Sequence, residues 1–211
     1  ILQTYKPDEI YNLAAQSNVG VSFNQPNLTY RVCAEGVLNL LECIKFLKLD
    51  TRLYQASSSE MFGKAFSFWG TDDEDNPLLY NSNQLLKDKF RGKPYGKMIG
   101  DFQNEQTPFE PQSPYAIAKL SAHNSIKLYR EAYGIWAVGG ILFNHESPRR
   151  GVGFVTRKIT NYLKNLIVTC DDTGIHYPKL KLGNIDSMRD WGYAKEYVEA
   201  MWLMLQQDTP K

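Results

Sequence analysis

Tyr115 and Lys119 are the two residues of this sequence whose types and spacing most directly indicate acid–base chemistry. They are four residues apart at the start of a segment with helical periodicity, so both side chains project from one face of the helix. A lysine ammonium beside a phenol favours the phenolate and lowers the pKa of the phenol. A tyrosine in that setting can act as a general base toward a hydroxyl group near neutral pH.

The YxxxK spacing alone is a weak signal, because the sequence contains it twice. The second instance, Tyr177 with Lys181, has a proline directly after its tyrosine, which argues against a helix there. The first instance follows a serine and a proline, and proline is well tolerated at the first position of a helix. The helical setting therefore favours Tyr115 and Lys119 as the catalytic pair.

Ser58 and Glu60 belong to a small polar run, SSSE at residues 57–60, into which the predicted strand 52–57 breaks. Ligands of parallel α/β sheets bind at the carboxyl ends of the strands. Two further polar clusters, residues 15–17 and 144–146, also follow predicted strands. The three clusters together predict a site at one edge of the sheet, where Ser58 offers a hydroxyl and Glu60 a carboxylate.

Strands alternate with helices along the whole sequence. Strands are predicted at residues 10–15, 52–57, 136–143 and 179–182. Helices are predicted at residues 33–47, from Pro114 to a stop at Gly134, at 154–166 and at 194–205. This order predicts an α/β fold with a doubly wound parallel sheet.

Composition excludes several classes of protein. The chain has 211 residues, 43% hydrophobic and 22% charged, with a net charge of +1, which gives no bulk attraction for nucleic acid. No apolar run is long enough to span a bilayer. The three cysteines form no CxxC pair, which predicts neither a disulfide framework nor a metal site. We expect a cytoplasmic protein with no membrane partner.

Three longer strings resemble the GDP-mannose 4,6-dehydratase family, whose members are extended short-chain dehydrogenase/reductase enzymes that act on nucleotide sugars. The strings are residues 13–17 (LAAQS), 142–151 (LFNHESPRRG) continued by 154–159 (FVTRKI), and 183–186 (GNID) continued by 189–192 (RDWG). The resemblance covers nearly the whole chain except residues 64–104. It implies that residues 1–211 form a single, partial Rossmann-like domain.

The resemblance implies catalytic roles for Ser58, Glu60, Tyr115 and Lys119. Tyr115 would take the proton from the mannose 4-hydroxyl, whose oxygen Ser58 would hydrogen-bond. Glu60 would then remove the C5 proton before water leaves from C6. Hydride would pass from C4 to NADP and return to C6, so that the cofactor is regenerated within the cycle. The implied product, GDP-4-keto-6-deoxymannose, serves GDP-fucose and GDP-rhamnose synthesis.

The resemblance also implies binding roles and an assembly. NADP would contact Leu13, Ala14, Ala15, Gln16, Ser17, Lys119, His145 and Arg150. GDP-mannose would contact Asn144, Lys158 and Arg189, and cationic side chains suit a diphosphate. We expect a homo-oligomer, a dimer or a tetramer, and no metal.

The sequence departs from the family pattern in three respects. The glycine-rich turn GxxGxxG is absent, so we expect the N-terminal βαβ unit, on the order of 70 residues ahead of Ile1, and the C-terminal part of the domain to be missing. Residues 64–104 are predicted to be an insertion: an active-site lid, a partner-binding segment or non-coding sequence read as protein. Asn18 and Leu28 replace a usual histidine and a usual tyrosine.

Two other functions stay open beside a GDP-mannose 4,6-dehydratase. A sibling enzyme, such as a nucleotide-sugar epimerase or a dTDP-glucose 4,6-dehydratase, would share the chemistry but differ in substrate or outcome. A non-catalytic remnant or a gene-model fragment would keep the fold without turnover. The missing glycine turn and the residues 64–104 favour the remnant, whereas Glu60 and the string at residues 142–151 favour the GDP-mannose enzyme.

Overall fold

The computed structural model of this chain describes residues 1–65, 67–71, 77–81, 100–169, 178–187 and 189–210. The chain forms two compact units, one of Ile1–Ile141 with Met204–Lys211 and one of Leu142–Leu203. The single partial domain over residues 1–211 stays a prediction.

A parallel sheet of three strands forms the centre of the first unit. The strands are β1 (Glu9–Asn12), β2 (Arg52–Ala56) and β6 (Ala137–Gly140), in the order β1-β2-β6. The register places Tyr54 between Tyr11 on one side and Val138 on the other. Strands β2 and β6 lie inside the segments predicted to be strands, whereas β1 begins one residue before its predicted segment. All three strands end before the predicted segments do.

Seven α-helices occur among the described residues: α1 (Leu2–Tyr5), α2 (Val19–Asn24), α3 (Pro26–Tyr30), α4 (Gly36–Leu47), α5 (Pro114–Tyr133), α6 (Val155–Thr169) and α7 (Ala194–Leu205). A π-helical segment, Arg31–Glu35, joins α3 to α4. The predicted helices at residues 33–47, 154–166 and 194–205 correspond to the π segment with α4, to α6 and to α7.

Helices α4 and α5 pack on one face of the parallel sheet, and the end of α7 lies at the other face. Leu41 of α4 and Ile126 of α5 pack with Leu53 of β2 in one buried cluster. Val138 of β6 belongs to the other face, because it pairs with Tyr54 and successive strand residues point to opposite sides. There Val138 lines a cavity of about 230 Å³ with Met204, Gln207, Asp208 and Thr209. The doubly wound α/β arrangement predicted from the sequence is therefore confirmed.

Helix α5 begins and ends as its sequence predicts. The Ser113 hydroxyl accepts a hydrogen bond from the Ala116 amide at 3.0 Å, and Pro114 takes the first helical position. At the other end Gly134 has a φ of 66°, and its amide donates to the carbonyl of Arg130. These two caps determine where the helix that carries Tyr115 begins and ends.

Part of the predicted insertion forms an antiparallel sheet. Strands β3 (Ser67–Thr71), β4 (Pro77–Asn81) and β5 (Gly100–Phe102) pair in the order β4-β3-β5. The sequence of this stretch shows no sustained period, and no strand was predicted in it. Gln103 Nε2 donates to the carbonyl of Ala65 at 2.8 Å, so the chain returns after β5 to the place it left before β3.

The second unit corrects two expectations. Residues 144–146 were expected to cap the end of a long strand, but they form their own strand, β7 (Asn144–Glu146). Strand β7 pairs in parallel with β8 (Trp191–Tyr193), nearly 50 residues away in sequence. The strand predicted at residues 179–182 is wrong, because these described residues form no strand. Both errors concern short segments, for which distant pairing outweighs local pattern.

Gly63 is the glycine whose replacement we expect to destabilise the first unit most clearly. Its φ is 57°, and a Cβ there would lie 1.8 Å from the carbonyl oxygen of Glu110. Gly63→Ala should lower the free energy of unfolding by more than the roughly 1–3 kcal/mol that the backbone conformation alone costs. Gly134→Ala is the matched control, because its φ is 66° but no atom lies within 4 Å of the added Cβ. Equal losses in denaturant unfolding would contradict the close contact.

Candidate active site

Lys119 is held at the carboxyl end of β2. Its Nζ donates a hydrogen bond to the carbonyl of Ala56 at 2.8 Å and lies 5.8 Å from the ring centroid of Tyr115. Only 3% of Lys119 is exposed, and burial lowers its pKa because it disfavours the charged ammonium. The spacing prediction is therefore correct in geometry: one helix face places the lysine beside the tyrosine.

The carbonyl of Ala56 accepts a second hydrogen bond, from Nε2 of Gln55 at 2.9 Å. Oε1 of Gln55 accepts in turn from Nδ2 of Asn12 at 2.6 Å. Gln55 is fully buried, and Asn12 lies opposite it in the sheet register. A chain of amides thus fixes the carbonyl that Lys119 contacts.

Ser58 and Glu60 follow that carbonyl directly. The Ser58 hydroxyl accepts from the Glu60 amide at 3.3 Å and opens a short 3₁₀ turn, Ser59–Met61. Ser58 is buried, Glu60 is half-buried, and helix α5 packs against the turn. The four residues predicted to be catalytic, Ser58, Glu60, Tyr115 and Lys119, thus lie together at the carboxyl end of β2.

The segment after β1 reaches the same place. Ala15 packs against the buried cluster that contains Tyr115 and Ala118 of α5 with Cys33 and Ala34. Its neighbours Leu13, Ala14 and Ser17 are exposed. Residues 13–17 therefore border the tyrosine, as their position after a parallel strand predicts.

The side chain of Gln16 forms hydrogen bonds within its own segment and to α3. Its Nε2 donates to the carbonyl of Asn18 and to the hydroxyl of Thr29, each at 3.1 Å, and its Oε1 accepts from the Asn18 amide at 2.8 Å. Asn18 in turn caps α2 by accepting from the Val21 amide at 3.1 Å. Gln16 therefore shapes this segment, whatever its role toward a cofactor.

The second unit holds the remaining predicted binding residues. Nδ1 of His145 lies 2.9 Å from the carbonyl oxygen of Phe143, and its ring lies against that of Tyr197 with centroids 5.0 Å apart. Asn144 is half-buried in β7, whereas Lys158 and Arg189 are exposed. Their binding roles stay predictions.

Arg150 lies in a cluster of its own within this unit. Its Nε is 3.3 Å from Oε2 of Glu146, and its guanidinium lies 3.7 Å from the ring centroid of Phe154. The same Glu146 oxygen accepts from the hydroxyl of Thr156 at 2.6 Å. The predicted cofactor ligand Arg150 is thus oriented by a carboxylate that sequence reasoning did not single out.

Sequence reasoning also missed a pair next to the serines. Nδ1 of His123 lies 2.9 Å from Oγ of Ser57. The available signal was helical spacing, because His123 follows Lys119 by four residues and so lies on the same face of α5.

Two general features bear on the kind of site. Among the described residues, no three histidine, cysteine or acidic side chains cluster in a way that would hold a metal ion. In the same part of the chain, no helix is both long enough and apolar enough to cross a membrane.

The parallel sheet, with the tyrosine and lysine of α5 at the carboxyl end of β2, defines a Rossmann-like α/β fold of the short-chain dehydrogenase/reductase kind. A dTDP-glucose 4,6-dehydratase from Streptomyces venezuelae, solved with NAD and TYD, superposes on 96% of this chain and 49% of its own at a TM-score of 0.68 and 19% identity. A UDP-N-acetylglucosamine 4-epimerase from Methanobrevibacter ruminantium covers 99% of this chain and 55% of its own at a TM-score of 0.69 and 21% identity.

The family model described as GDP-mannose 4,6 dehydratase matches residues 1–82 and 93–211, and the chain belongs to that family. A GDP-mannose 4,6-dehydratase from Vibrio cholerae is 46% identical over 213 aligned residues, which cover 100% of this chain and 47% of that protein. The chain thus spans about half the length of the curated relatives it matches. Within residues 64–104, the part outside the family match is residues 83–92.

Proposed function

We propose that this chain carries the catalytic half of a GDP-mannose 4,6-dehydratase, which converts GDP-mannose to GDP-4-keto-6-deoxymannose. The observation that carries the proposal is the buried Lys119 ammonium, held between the Ala56 carbonyl and the ring of Tyr115. The dehydration needs a base for a sugar hydroxyl and an acid–base group for the adjacent carbon. Tyr115 and Glu60 are those groups.

Each of the four residues takes part in the proposed reaction. The Tyr115 phenolate, favoured by the Lys119 cation, takes the proton of the 4-hydroxyl as C4 is oxidised to the ketone. Ser58 hydrogen-bonds the same oxygen and holds it in place. The ketone acidifies the C5 proton, which the Glu60 carboxylate removes. Glu60 then gives that proton to the hydroxyl leaving C6, so that water departs. When C6 is reduced, C5 takes up a proton from solvent, which balances the proton that Tyr115 took from the 4-hydroxyl.

The residues present suit the nicotinamide end of a dinucleotide cofactor. The segment 13–17, in which Leu13, Ala14 and Ser17 are exposed, borders Tyr115 beside the carboxyl end of the sheet, where dinucleotides bind in this fold. Leu13, Ala14, Ala15, Gln16, Ser17 and Lys119 would hold NADP there. The family resemblance implies that His145 and Arg150 also contact the cofactor. The chemistry that bound NADP supplies is hydride acceptance at C4 and hydride return at C6. The substrate GDP-mannose would be held by Asn144, Lys158 and Arg189.

A sibling reaction is the second candidate, because the fold is equally similar to a dTDP-sugar dehydratase and to an epimerase. Glu60 favours dehydration over epimerisation, because elimination across C5 and C6 needs an acid–base group that moves the C5 proton. The family match favours GDP-mannose over dTDP- or UDP-sugars. The proposal also includes a cytoplasmic location and a homo-oligomer, either a dimer or a tetramer. Size-exclusion chromatography with light scattering would test the oligomeric state.

The experiment that tests the proposal uses two proteins. One is the chain itself; the other, called the chimera below, has this chain in place of the matching segment of the Vibrio cholerae relative. Each is incubated with NADP and GDP-mannose, and the product is followed by mass spectrometry. Loss of one water with uptake of solvent deuterium at C5 is the expected result for the chimera.

Other outcomes discriminate between the alternatives. Turnover of UDP- or dTDP-glucose in preference to GDP-mannose would assign the sibling reaction. A folded chimera without any turnover, beside an active Vibrio cholerae enzyme, would contradict the proposal and favour a non-catalytic remnant.

Lys119→Met is expected to lower the activity of the chimera without lowering its free energy of unfolding. An opposite charge shifts a neighbouring pKa by about 1–3 units, so its loss should move the acid limb of the pH–rate profile of the chimera upward and slow turnover at pH 7 roughly tenfold or more. The free energy of unfolding should not fall, because burial lowers the pKa of Lys119 and the charged form therefore opposes folding at neutral pH. The Ala56 carbonyl also keeps its bond from Gln55. The exposed Lys127→Met on the same helix is the control; an unshifted acid limb in Lys119→Met would exclude this role.

A further inference from the structure

His123 is a partly buried histidine that the proposed reaction does not use. Its ring meets the Ser57 hydroxyl at 2.9 Å and packs edge-on against Phe109, with centroids 5.6 Å apart. Gly139 of β6 provides the space on the third side, because a Cβ there would lie 2.8 Å from Nδ1. Three separate segments thus fix the position of the imidazole.

The surroundings of the ring favour its neutral form. The groups that face it from other segments are uncharged, namely Ser57, Phe109 and Gly139. Along α5, the cations Lys119 and Arg130 precede and follow it. Burial, with a smaller contribution from Arg130, lowers the pKa of His123. A neutral imidazole can share one hydrogen bond with the serine hydroxyl through Nδ1.

Ser57 links this imidazole to the catalytic turn. Only 3% of Ser57 is exposed, so its hydroxyl needs a partner inside the protein. Its amide donates to the carbonyl of Gly140 at 2.9 Å. With the amide bonded to β6 and the hydroxyl to α5, Ser57 is held from two sides directly before Ser58.

We propose that His123 is a positioning residue, which anchors Ser57 through Nδ1 and so fixes the turn that presents Ser58 and Glu60. The catalytic consequence rests on the proposed function, whereas the positioning itself is a property of this chain. A test therefore needs one readout in the chain alone and one in the active enzyme.

The first readout is amide hydrogen exchange in the chain itself. Its reporters are the amides of Met61 and Phe62, which donate to the carbonyls of Ser58 and Ser59 at 3.1 and 3.0 Å. His123→Leu removes the imidazole nitrogens and should raise their exchange roughly three- to tenfold, the range expected for one lost neutral hydrogen bond. His123→Asn puts an amide near the position of Nδ1 and should restore the slow exchange. Exchange in α4 should stay unchanged in both variants.

The second readout is turnover by the chimera. His123→Leu should lower kcat roughly three- to tenfold with little change in KM for GDP-mannose, and His123→Asn should recover it. Ser57→Ala removes only one hydroxyl and should give a similar loss. The double variant His123→Leu with Ser57→Ala should lose little more than either single variant, because both break the same contact.

Unchanged exchange at Met61 and Phe62 in both His123→Leu and Ser57→Ala would overturn the proposal. So would additive losses of kcat in the double variant. If His123→Leu does not fold, Ser57→Ala decides the matter through the same two amides. An inactive chimera with the unaltered chain would contradict the proposed function alone, since the exchange measurement still tests the positioning.

Discussion

Replacing Tyr115 with phenylalanine is expected to lower kcat of the chimera by about 10²–10⁴, the usual contribution of general acid–base catalysis. The phenol oxygen would be the only group lost, so the 4-hydroxyl would have no base to take its proton. The ring would remain in its buried cluster with Cys33, Ala34 and Ala118. The measurement is steady-state formation of the 4-keto product from GDP-mannose.

Tyr133→Phe is the matched control, because Tyr133 lies at the end of the same helix and is 53% exposed. It should leave kcat unchanged. Comparable losses in both variants would show that the assay reports damage to α5, whereas full activity of Tyr115→Phe would remove Tyr115 from the mechanism.

Glu60→Gln is expected to lower kcat of the chimera by a similar factor, about 10²–10⁴, for a different reason. An amide keeps the size and the hydrogen-bonding capacity of the half-buried side chain but cannot accept the C5 proton. Incorporation of solvent deuterium at C5 should therefore disappear together with the loss of water. Both are measured on the recovered sugar nucleotide by mass spectrometry and NMR.

Glu131→Gln on the exposed side of α5 is the control and should keep normal turnover. Normal incorporation of deuterium at C5 in Glu60→Gln would show that a group other than Glu60 removes the C5 proton. Retained labelling with blocked loss of water would confine Glu60 to protonation of the leaving hydroxyl.

The elements that sequence analysis predicted well are those governed by local chemistry. Helix α5 is an example, because Ser113, Pro114 and Gly134 determine its ends whatever packs on it. Strand β7 is the opposite case. Its three residues form a strand only because residues 191–193 lie beside them, and no local pattern encodes that pairing. The missed sheet of β3, β4 and β5 lies in a stretch without a regular period.

The candidate site divides in the same way. The spacing of Tyr115 and Lys119 predicted that they share a helix face, because that relation depends only on helix geometry. The partner of Lys119 is a backbone carbonyl, that of Ala56, which has no sequence signature and is set by the packing of α5 on β2. His123 was within reach of the same spacing rule, but its hydrogen bond to Ser57 depends on Gly139 leaving room for the ring.

The hydrogen bond from Gln103 to the carbonyl of Ala65 has a consequence for how this domain tolerates changes in length. In addition, the amide of Glu110 donates to the carbonyl of Phe62 at 3.3 Å. Two hydrogen bonds therefore join the segment before β3 to the segment after β5. For a loop whose ends are already held, doubling its length costs only about 0.6 kcal/mol in closure entropy. We therefore expect residues gained or lost in the sequence between β4 and β5 to have little effect on the separation of Glu60 and Tyr115.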